Sequence, residues 1–173
     1  MIQQQPFGPT GHDSTRVIFG AAAIGNLYAP VEPDAAAAAV DAAWDAGIRT
    51  FDTAPHYGLG LSERRLGEAL RSRPRDAYTL STKAGRLLEP CPADGDDLDH
   101  GFAVPADHRR VWDFSADGVR RSIEEILVRA LDGSLSAYYP LIGDDPLARW
   151  ESEGGTTPEG RAEPRPWAVE VSR

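Results

Sequence analysis

Three side chains whose chemistry could cooperate stand near the ends of two consecutive predicted strands. Asp52 and Tyr57 lie in the segment 51–63, which reads FDTAPHYGLGLSE, and Lys83 ends the β-rich run over residues 76–83. Ends of neighbouring parallel strands lie ~4.8 Å apart at one edge of a sheet, so we expect the three side chains to meet. Asp, Pro and Gly are also common in ordinary turns, and it is Lys83 that favours a site.

The chemistry that these three residue types support is proton transfer to an oxygen. A lysine ammonium next to a tyrosine hydroxyl stabilises the phenolate, which would make Tyr57 a better proton donor near neutral pH. Asp52 would hold and orient Lys83. A phenol of this kind suits protonation of a carbonyl oxygen as hydride reaches the carbon, or the reverse for an alcohol. The set therefore predicts carbonyl reduction or alcohol oxidation.

The elements that must position these side chains alternate between strand and helix patterns. The apolar run over residues 17–19 predicts a buried strand that ends at Gly20 and Ala21, and a second short strand precedes Asp52. Predicted helices cover residues 33–46, 63–71 with Ser62 as N-cap, and 115–130 with Ser115 as N-cap. This order predicts an α/β fold with a parallel sheet and right-handed crossovers.

Long segments without clear periodicity surround this core. Residues 84–114 form an insertion far longer than the usual ~2–6 residue connection, and we expect a substrate lid there. Residues 135–142 could form a fourth strand, although Pro140 would normally place it at an edge. We expect a flexible leader over residues 1–15 and a disordered tail over residues 143–173.

Composition narrows the class of protein. Its 173 residues are 41% hydrophobic and carry a net charge of -9, which argues against nucleic acid as a partner because phosphate binding needs clustered Lys and Arg. The chain has no apolar run of ~18 residues and no signal-peptide core, which predicts no membrane span and a cytoplasmic location. Cys91 is the single cysteine, so no disulfide can form within the chain.

Two weaker patterns do not support other functions. Gly58 and Gly60 lie between a strand and a helix, but the third glycine of a dinucleotide-binding fingerprint is missing. Residues 94–99 have the acidic composition of a calcium loop, yet Pro105 occupies the twelfth position, where the terminal glutamate would stand. We therefore predict a solvated acidic loop and no metal site.

The chain resembles the aldo-keto reductase family. The run DTAPHYG over residues 52–58, followed by Ser62-Glu63 and Leu66-Gly67, looks like the signature of that family, and the run STK that ends at Lys83 looks like its lysine strand. The resemblance covers residues 17–131 and is nearest to the aldose and fucose dehydrogenases.

The resemblance implies a fold, a cofactor and residue roles. It implies a (β/α)₈ barrel, NADP or NAD bound across the carboxyl ends of its strands, and direct hydride transfer without metal. Tyr57 would be the proton donor or acceptor, Lys83 its tuner and Asp52 the partner of Lys83. Asp52 would also lie at the cofactor, and the strand end at Gly20 and Ala21 resembles the place where the family lays its backbone near the nicotinamide. From the residues alone, a simple bend at Gly20 is an equal alternative.

Two further side chains are candidate contacts for a carbonyl or sugar substrate. His56 precedes Tyr57, and its alternative is an ordinary polar loop residue. Trp112 in the insertion could stack on a sugar ring, because aromatic faces suit sugar rings, and a packing role is an equal alternative.

The chain also departs from the family pattern. The family places a fourth catalytic residue, a histidine, at the end of the fourth strand, whereas the histidines here are His12, His56, His100 and His108. An eight-unit barrel needs ~250 residues. We therefore expect a partial barrel of three to four βα units, over residues 16–142, in a truncated chain.

Two functions remain from the sequence. One is an NADP- or NAD-dependent oxidoreductase of aldose-like substrates, and the other is a non-catalytic remnant or interaction fragment. The sequence predicts no oligomeric state.

Overall fold

A computed structural model describes residues 2–131 of this chain. The predicted fourth strand and the predicted tail after residue 142 lie outside these residues. The strands are β1 (Gln4–Pro6), β2 (Asp13–Thr15), β3 (Phe19–Gly20), β4 (Thr50–Asp52), β5 (Thr79–Ser81), β6 (Arg86–Pro90), β7 (Asp96–Asp97), β8 (Phe102–Pro105) and β9 (His108–Trp112). The helices are α1 (Pro33–Asp45), α2 (Leu61–Leu70) and α3 (Ala116–Leu131), with short 3₁₀ turns between some elements.

A parallel sheet in the order β3-β4-β5 forms the centre of the fold. Its register places Asp52, at the end of β4, between Gly20 of β3 and Ser81 of β5. Helix α1 connects β3 to β4, and α2 connects β4 to β5. The chain is therefore an α/β protein whose described part has the arrangement of the first units of a (β/α)₈ barrel, as the sequence predicted.

The helices begin where local signals predict, with one exception. Pro33 opens α1, and Ser115 Oγ caps α3 by accepting a hydrogen bond from the Gly118 amide at 3.0 Å. The prediction that Ser62 caps α2 is wrong, because α2 starts at Leu61 after Gly60, whose φ of 80° needs glycine. Ser62 is buried inside the first turn instead.

The core lies between the parallel sheet and the first two helices. Phe51 of β4 and Leu66 of α2 are both fully buried, and α1 adds Ala36, Val40 and Ala43 on its buried face. Phe19 on the neighbouring strand packs at a tilt against Phe51, with ring centroids 5.9 Å apart. The apolar spacing in α1 therefore covers the sheet as predicted.

The first strand is shorter and more exposed than its sequence suggests. Val17 and Ile18 are 52% and 47% exposed, so the prediction of a buried strand over residues 17–19 is wrong for these two. Within residues 2–131, β3 pairs with β4 on one side alone. An edge strand buries its side chains only where another element covers them, and none of the described elements covers Val17 and Ile18.

The leader expected over residues 1–15 contains an antiparallel hairpin of β1 and β2. Thr15 is buried, and its amide donates a hydrogen bond to Thr50 Oγ1 at 3.1 Å. Because Thr50 begins β4 and Asp52 ends it, the hairpin lies at the end of the sheet opposite to Asp52. No strand was predicted in this segment.

The insertion over residues 84–114 contains two antiparallel strand pairs, β6 with β9 and β7 with β8. Leu88, Phe102 and Val104 form a second apolar cluster with Leu59, which follows the Tyr57 loop. The insertion therefore packs against the segment that carries Tyr57.

Over residues 2–131, helix length and hydropathy fall short of what a membrane span requires.

The depth of burial at Leu66 generates a stability prediction. Leu66→Ala should lower the free energy of unfolding by about 2–5 kcal/mol, because it leaves a cavity in the main core. The same substitution at Leu98, which is 51% exposed, should change it by less than about 0.5 kcal/mol. Urea unfolding followed by circular dichroism measures both, and equal losses would contradict the core assignment.

Candidate active site

An ion pair joins the ends of the second and third parallel strands. Lys83 Nζ lies 2.8 Å from Asp52 Oδ2 and donates a second hydrogen bond to the Thr53 carbonyl oxygen at 2.9 Å. Ser81 Oγ donates to the other carboxylate oxygen of Asp52 at 2.9 Å. Asp52 pairs in register with Ser81, and Lys83 follows Ser81 by two residues. This register explains why the Lys83 side chain reaches the Asp52 carboxylate. The structure thus brings together two of the side chains that the sequence singled out.

The ion pair keeps Lys83 protonated. Partial burial opposes the charge, but the hydrogen bond and the ionic attraction from Asp52 outweigh it and raise the pKa of the Lys83 ammonium above its ordinary value. The Tyr57 side chain adds to this rise. Lys83 is therefore a cation at neutral pH, held in place by a carboxylate and a carbonyl oxygen.

Tyr57 lies beside this cation. Lys83 Nζ is 5.1 Å from the centroid of the Tyr57 ring. The Tyr57 amide donates to the Ala54 carbonyl at 3.0 Å, and the Tyr57 carbonyl accepts from the Ser62 amide at 3.2 Å, so both backbone groups are fixed. The three predicted catalytic residues, Asp52, Tyr57 and Lys83, therefore share one place at the carboxyl end of the sheet.

Two glycines allow the Tyr57 loop to lie directly against the loop after β3. A Cβ atom on Gly58 would stand 2.2 Å from the Gly25 carbonyl oxygen, and one on Gly25 would stand 2.9 Å from the Tyr57 carbonyl oxygen. Gly58 also has a φ of +61°, which side chains disfavour. Backbone packing without side chains therefore sets the position of Tyr57.

Buried polar side chains at the start of α2 connect it to the strand ends. Ser62 Oγ donates to the Ala21 carbonyl at 2.7 Å and pairs with Thr53 Oγ1 at 2.9 Å. Because Ser62 has one hydroxyl hydrogen, Thr53 is the donor in the second bond. The next residue, Glu63, accepts from Thr82 Oγ1 at 3.1 Å, next to Lys83. Ser62, Thr53 and Glu63 are fully buried.

The predicted cofactor contacts Gly20 and Ala21 differ in accessibility. Gly20 is exposed, and a Cβ there would meet no atom within 4 Å, so the strand end is open next to Asp52. Ala21 is fully buried, with its amide bonded to the Asp52 carbonyl and its carbonyl bonded to Ser62. Ala21 is therefore a buried residue that holds the strand end through its backbone hydrogen bonds, whereas the backbone of Gly20 is accessible.

His56 belongs to a charged network that the sequence did not reveal. Arg110 Nε donates to His56 Nδ1 at 2.7 Å, and the same guanidinium binds both carboxylate oxygens of Asp97, one of them at 2.8 Å. His100 Nδ1 lies 3.2 Å from Asp97 as well. His56 and Arg110 are 54 residues apart, so no local spacing could have indicated their contact.

The environment of His56 favours its neutral form. Burial first, and then the charges of Arg110 and Arg86, lower the pKa of His56 from 6.5 to about 4, against the opposing effect of Asp97. His56 is therefore uncharged at neutral pH.

Trp112, the other predicted substrate contact, is 59% exposed. It stacks on Phe114 with centroids 5.5 Å apart, and the Arg86 guanidinium lies 3.9 Å above its ring. The structure does not bring Trp112 into contact with Asp52, Tyr57 or Lys83 within the described residues.

Between residues 2 and 131, no group of three or more His, Cys, Asp and Glu side chains is arranged to hold a metal ion.

The contact between Gly25 and Gly58 generates a prediction with a matched control. Gly58→Ala should lower the free energy of unfolding by about 1–3 kcal/mol more than Gly95→Ala, because a Cβ on Gly58 meets backbone. Gly95 has a similar φ of +72° but open space, so it reports the cost of positive φ alone. Chemical unfolding measures both, and equal losses would show that the backbone contact is unimportant.

The lowered pKa of His56 generates a pH prediction. The folded chain favours neutral His56, so its contribution to stability is fully present above pH 6.5 and is lost as pH falls through about 4. The urea midpoint should therefore drop less between pH 7 and about pH 5 in His56→Gln than in the parent chain. His12→Gln, which alters an exposed histidine, should behave like the parent. The same drop in all three proteins would contradict this reading.

Comparison with known proteins places the chain among related sequences. The model of the Aldo/keto reductase family matches residues 16–133. A D-threo-aldose 1-dehydrogenase from Pseudomonas sp is 57% identical over 110 residues, which cover 62% of this chain and 33% of that protein. A pyridoxal 4-dehydrogenase from Microbacterium luteolum is 42% identical over 132 residues, which cover 71% of this chain and 38% of that protein.

A solved structure agrees with the sequence matches. The glycerol dehydrogenase from Gluconobacter oxydans superposes with a TM-score of 0.56 and 26% identity, over 73% of this chain and 35% of that one. The matched residues of this chain cover 33% of the aldose dehydrogenase and 38% of the pyridoxal dehydrogenase, so the chain spans about a third of the length of these curated relatives. Because the family model matches more than half of the chain and includes Asp52, Tyr57 and Lys83, this chain belongs to the aldo-keto reductase family.

Proposed function

We propose that this chain carries the proton-transfer residues of an NADP- or NAD-dependent oxidoreductase that acts on aldose-like alcohols or carbonyls. The observation that carries the proposal is the Lys83 ammonium, held 2.8 Å from Asp52 and placed beside the Tyr57 ring. This arrangement provides a proton donor and a fixed cation at one strand end. The names of the related aldose and pyridoxal dehydrogenases support an oxidoreductase of small polar substrates.

Tyr57 is the group that exchanges a proton with the substrate oxygen. In reduction, the phenol gives its proton to the carbonyl oxygen, and the negative charge left on Tyr57 is stabilised by Lys83. In oxidation, the phenolate accepts the proton of the hydroxyl group. Lys83 serves both directions because its charge stays fixed while that of Tyr57 changes.

Asp52 keeps Lys83 in position and charged. Its carboxylate accepts from Lys83 and from Ser81, so it cannot turn away without losing both bonds. The Thr53 carbonyl adds a third fixed partner around the ammonium. Loss of the Asp52 charge would lower the affinity of Lys83 for its proton and loosen its place beside Tyr57.

The described residues fit one part of a nicotinamide cofactor. Gly20 has open space where a Cβ would stand and lies beside Asp52, so a flat ring can approach the backbone there. Gly20 and Asp52 would hold this part of the cofactor, and the hydrogen bonds of the Ala21 backbone would keep the two residues in place. A nicotinamide cofactor, when bound, supplies or accepts the hydride.

The test compares Tyr57→Phe with Tyr28→Phe in the full 173-residue chain. Tyr57→Phe should lower aldose-dependent reduction of NADP or NAD by about 10²–10⁴-fold, because it removes the proton donor and acceptor. Tyr28 is 79% exposed, so removal of its hydroxyl group in Tyr28→Phe should leave the rate unchanged. Absorbance at the wavelength of the reduced nicotinamide follows the reaction.

Two results would contradict the proposal. Equal rates for Tyr57→Phe and the parent chain would remove Tyr57 from the chemistry. A folded parent chain that gives no aldose-dependent reduction with either cofactor would favour the alternative, a non-catalytic interaction fragment.

A further inference from the structure

The insertion contains a buried ion pair. Asp97 in β7 and Arg110 in β9 are 4% and 11% exposed, and the guanidinium meets the carboxylate through both of its terminal nitrogens. A buried pair with this two-point geometry fixes the plane of the guanidinium. The direction of its Nε–H group is therefore fixed as well.

That direction is His56. Arg110 Nε donates to His56 Nδ1 at 2.7 Å, and an arginine has no acceptor atom. Nδ1 must therefore offer its lone pair, so the neutral ring carries its proton on Nε2. The chemistry of the partner sets the tautomer, and the lowered pKa of His56 agrees with this state.

The His56 ring lies next to the Tyr57 ring. Within residues 2–131 the Nε2–H group has no hydrogen-bond partner, and the residue is partly exposed. The rings of His56 and Tyr57 lie 6.5 Å apart between centroids, and both rest on the buried ring of Phe102, at 5.2 Å and 6.1 Å. A substrate oxygen next to the reacting group would meet an N–H donor there.

We propose that Arg110 is a positioning residue that presents His56 Nε2–H as a hydrogen-bond donor to a hydroxyl oxygen of the substrate beside the reacting carbon. This inference rests on the proposed function, because it assigns the substrate contact next to Tyr57. It selects polyhydroxylated substrates such as aldoses over simple alcohols. A site built to bond a hydroxyl group rejects analogues that lack it, since its polar group would be left unpaired.

The charged surroundings of His56 bear on any test that varies pH. The groups that act on its charge are Arg110 and Arg86, which oppose protonation, Asp97, which favours it, and His100, which opposes it. Removal of Arg110 should therefore raise the pKa of His56 from about 4 toward its ordinary value.

The first experiment is nitrogen NMR of the histidine rings in the full chain, which needs no turnover. In the parent chain we expect His56 with an unprotonated Nδ1 and a protonated Nε2, and a shift of the Nε2–H resonance on adding L-fucose, D-arabinose or L-galactose. Arg110→Met should mix the two tautomers and raise the pKa. A proton on Nδ1 in the parent chain, or no shift with any of the three sugars, would overturn the inference.

A matched control separates this role from general packing. Arg109 is adjacent on β9 but pairs with exposed Glu89 on β6, so Arg109→Met should leave the His56 signals unchanged. Should Arg110→Met fail to fold, Arg110→Lys keeps a charge and a donor without the planar fork, and the tautomer should be held less firmly. Unaltered His56 signals in Arg110→Lys and in Arg110→Met would equally overturn the inference.

Steady-state kinetics distinguishes this inference from the proposed function. Arg110→Met and His56→Leu should raise KM for the aldose about tenfold with little change in kcat, the loss of one hydrogen bond to a bound substrate. His56→Gln should recover most of this loss, because its amide is also a donor. If Tyr57→Phe abolishes turnover while Arg110→Met and His56→Leu leave KM unchanged, this inference alone is wrong. If Tyr57→Phe has no effect, the proposed function is wrong.

Discussion

Ser62 is the residue on which the geometry of the strand ends depends. Its buried hydroxyl group donates to the end of β3 and accepts from Thr53 after β4, while the neighbouring Glu63 binds Thr82 after β5. Each of these groups would cost about 1–3 kcal/mol if it were left buried without a partner. Hydrogen bonds from the first turn of α2 therefore connect the ends of three strands to one helix, and Asp52 and Lys83 lie at two of those strand ends.

The grouping of Asp52, Tyr57 and Lys83 follows from that arrangement. Parallel pairing in register places Asp52 beside Ser81, and two residues later Lys83 reaches back across the strand end to the carboxylate. Tyr57 instead lies on the loop between β4 and α2, whose position is set by the contact between Gly25 and Gly58. Strand register and loop packing are independent constraints, and the ammonium meets the phenol where both are satisfied.

Local signals in the sequence predicted local structure well. Pro33 and Ser115 marked the starts of two helices, and the alternation of strands and helices predicted the parallel sheet that joins Asp52 to Lys83. Ser62 was read as a cap because serine before a helix usually is one, but its partners lie 9 and 41 residues away. The contact between His56 and Arg110 was likewise set by packing of the insertion.

The insertion forms its backbone ladder through antiparallel pairs of its own strands, while the sheet that bears Asp52 is parallel. The two ladders share no strand among the described residues. The insertion meets the loop that carries His56 and Tyr57 through the ring of Phe102. Arg110 reaches His56 from this separately paired segment, so a change in the insertion can alter the tautomer of His56 while the strand register that pairs Asp52 with Ser81 is inherited unchanged.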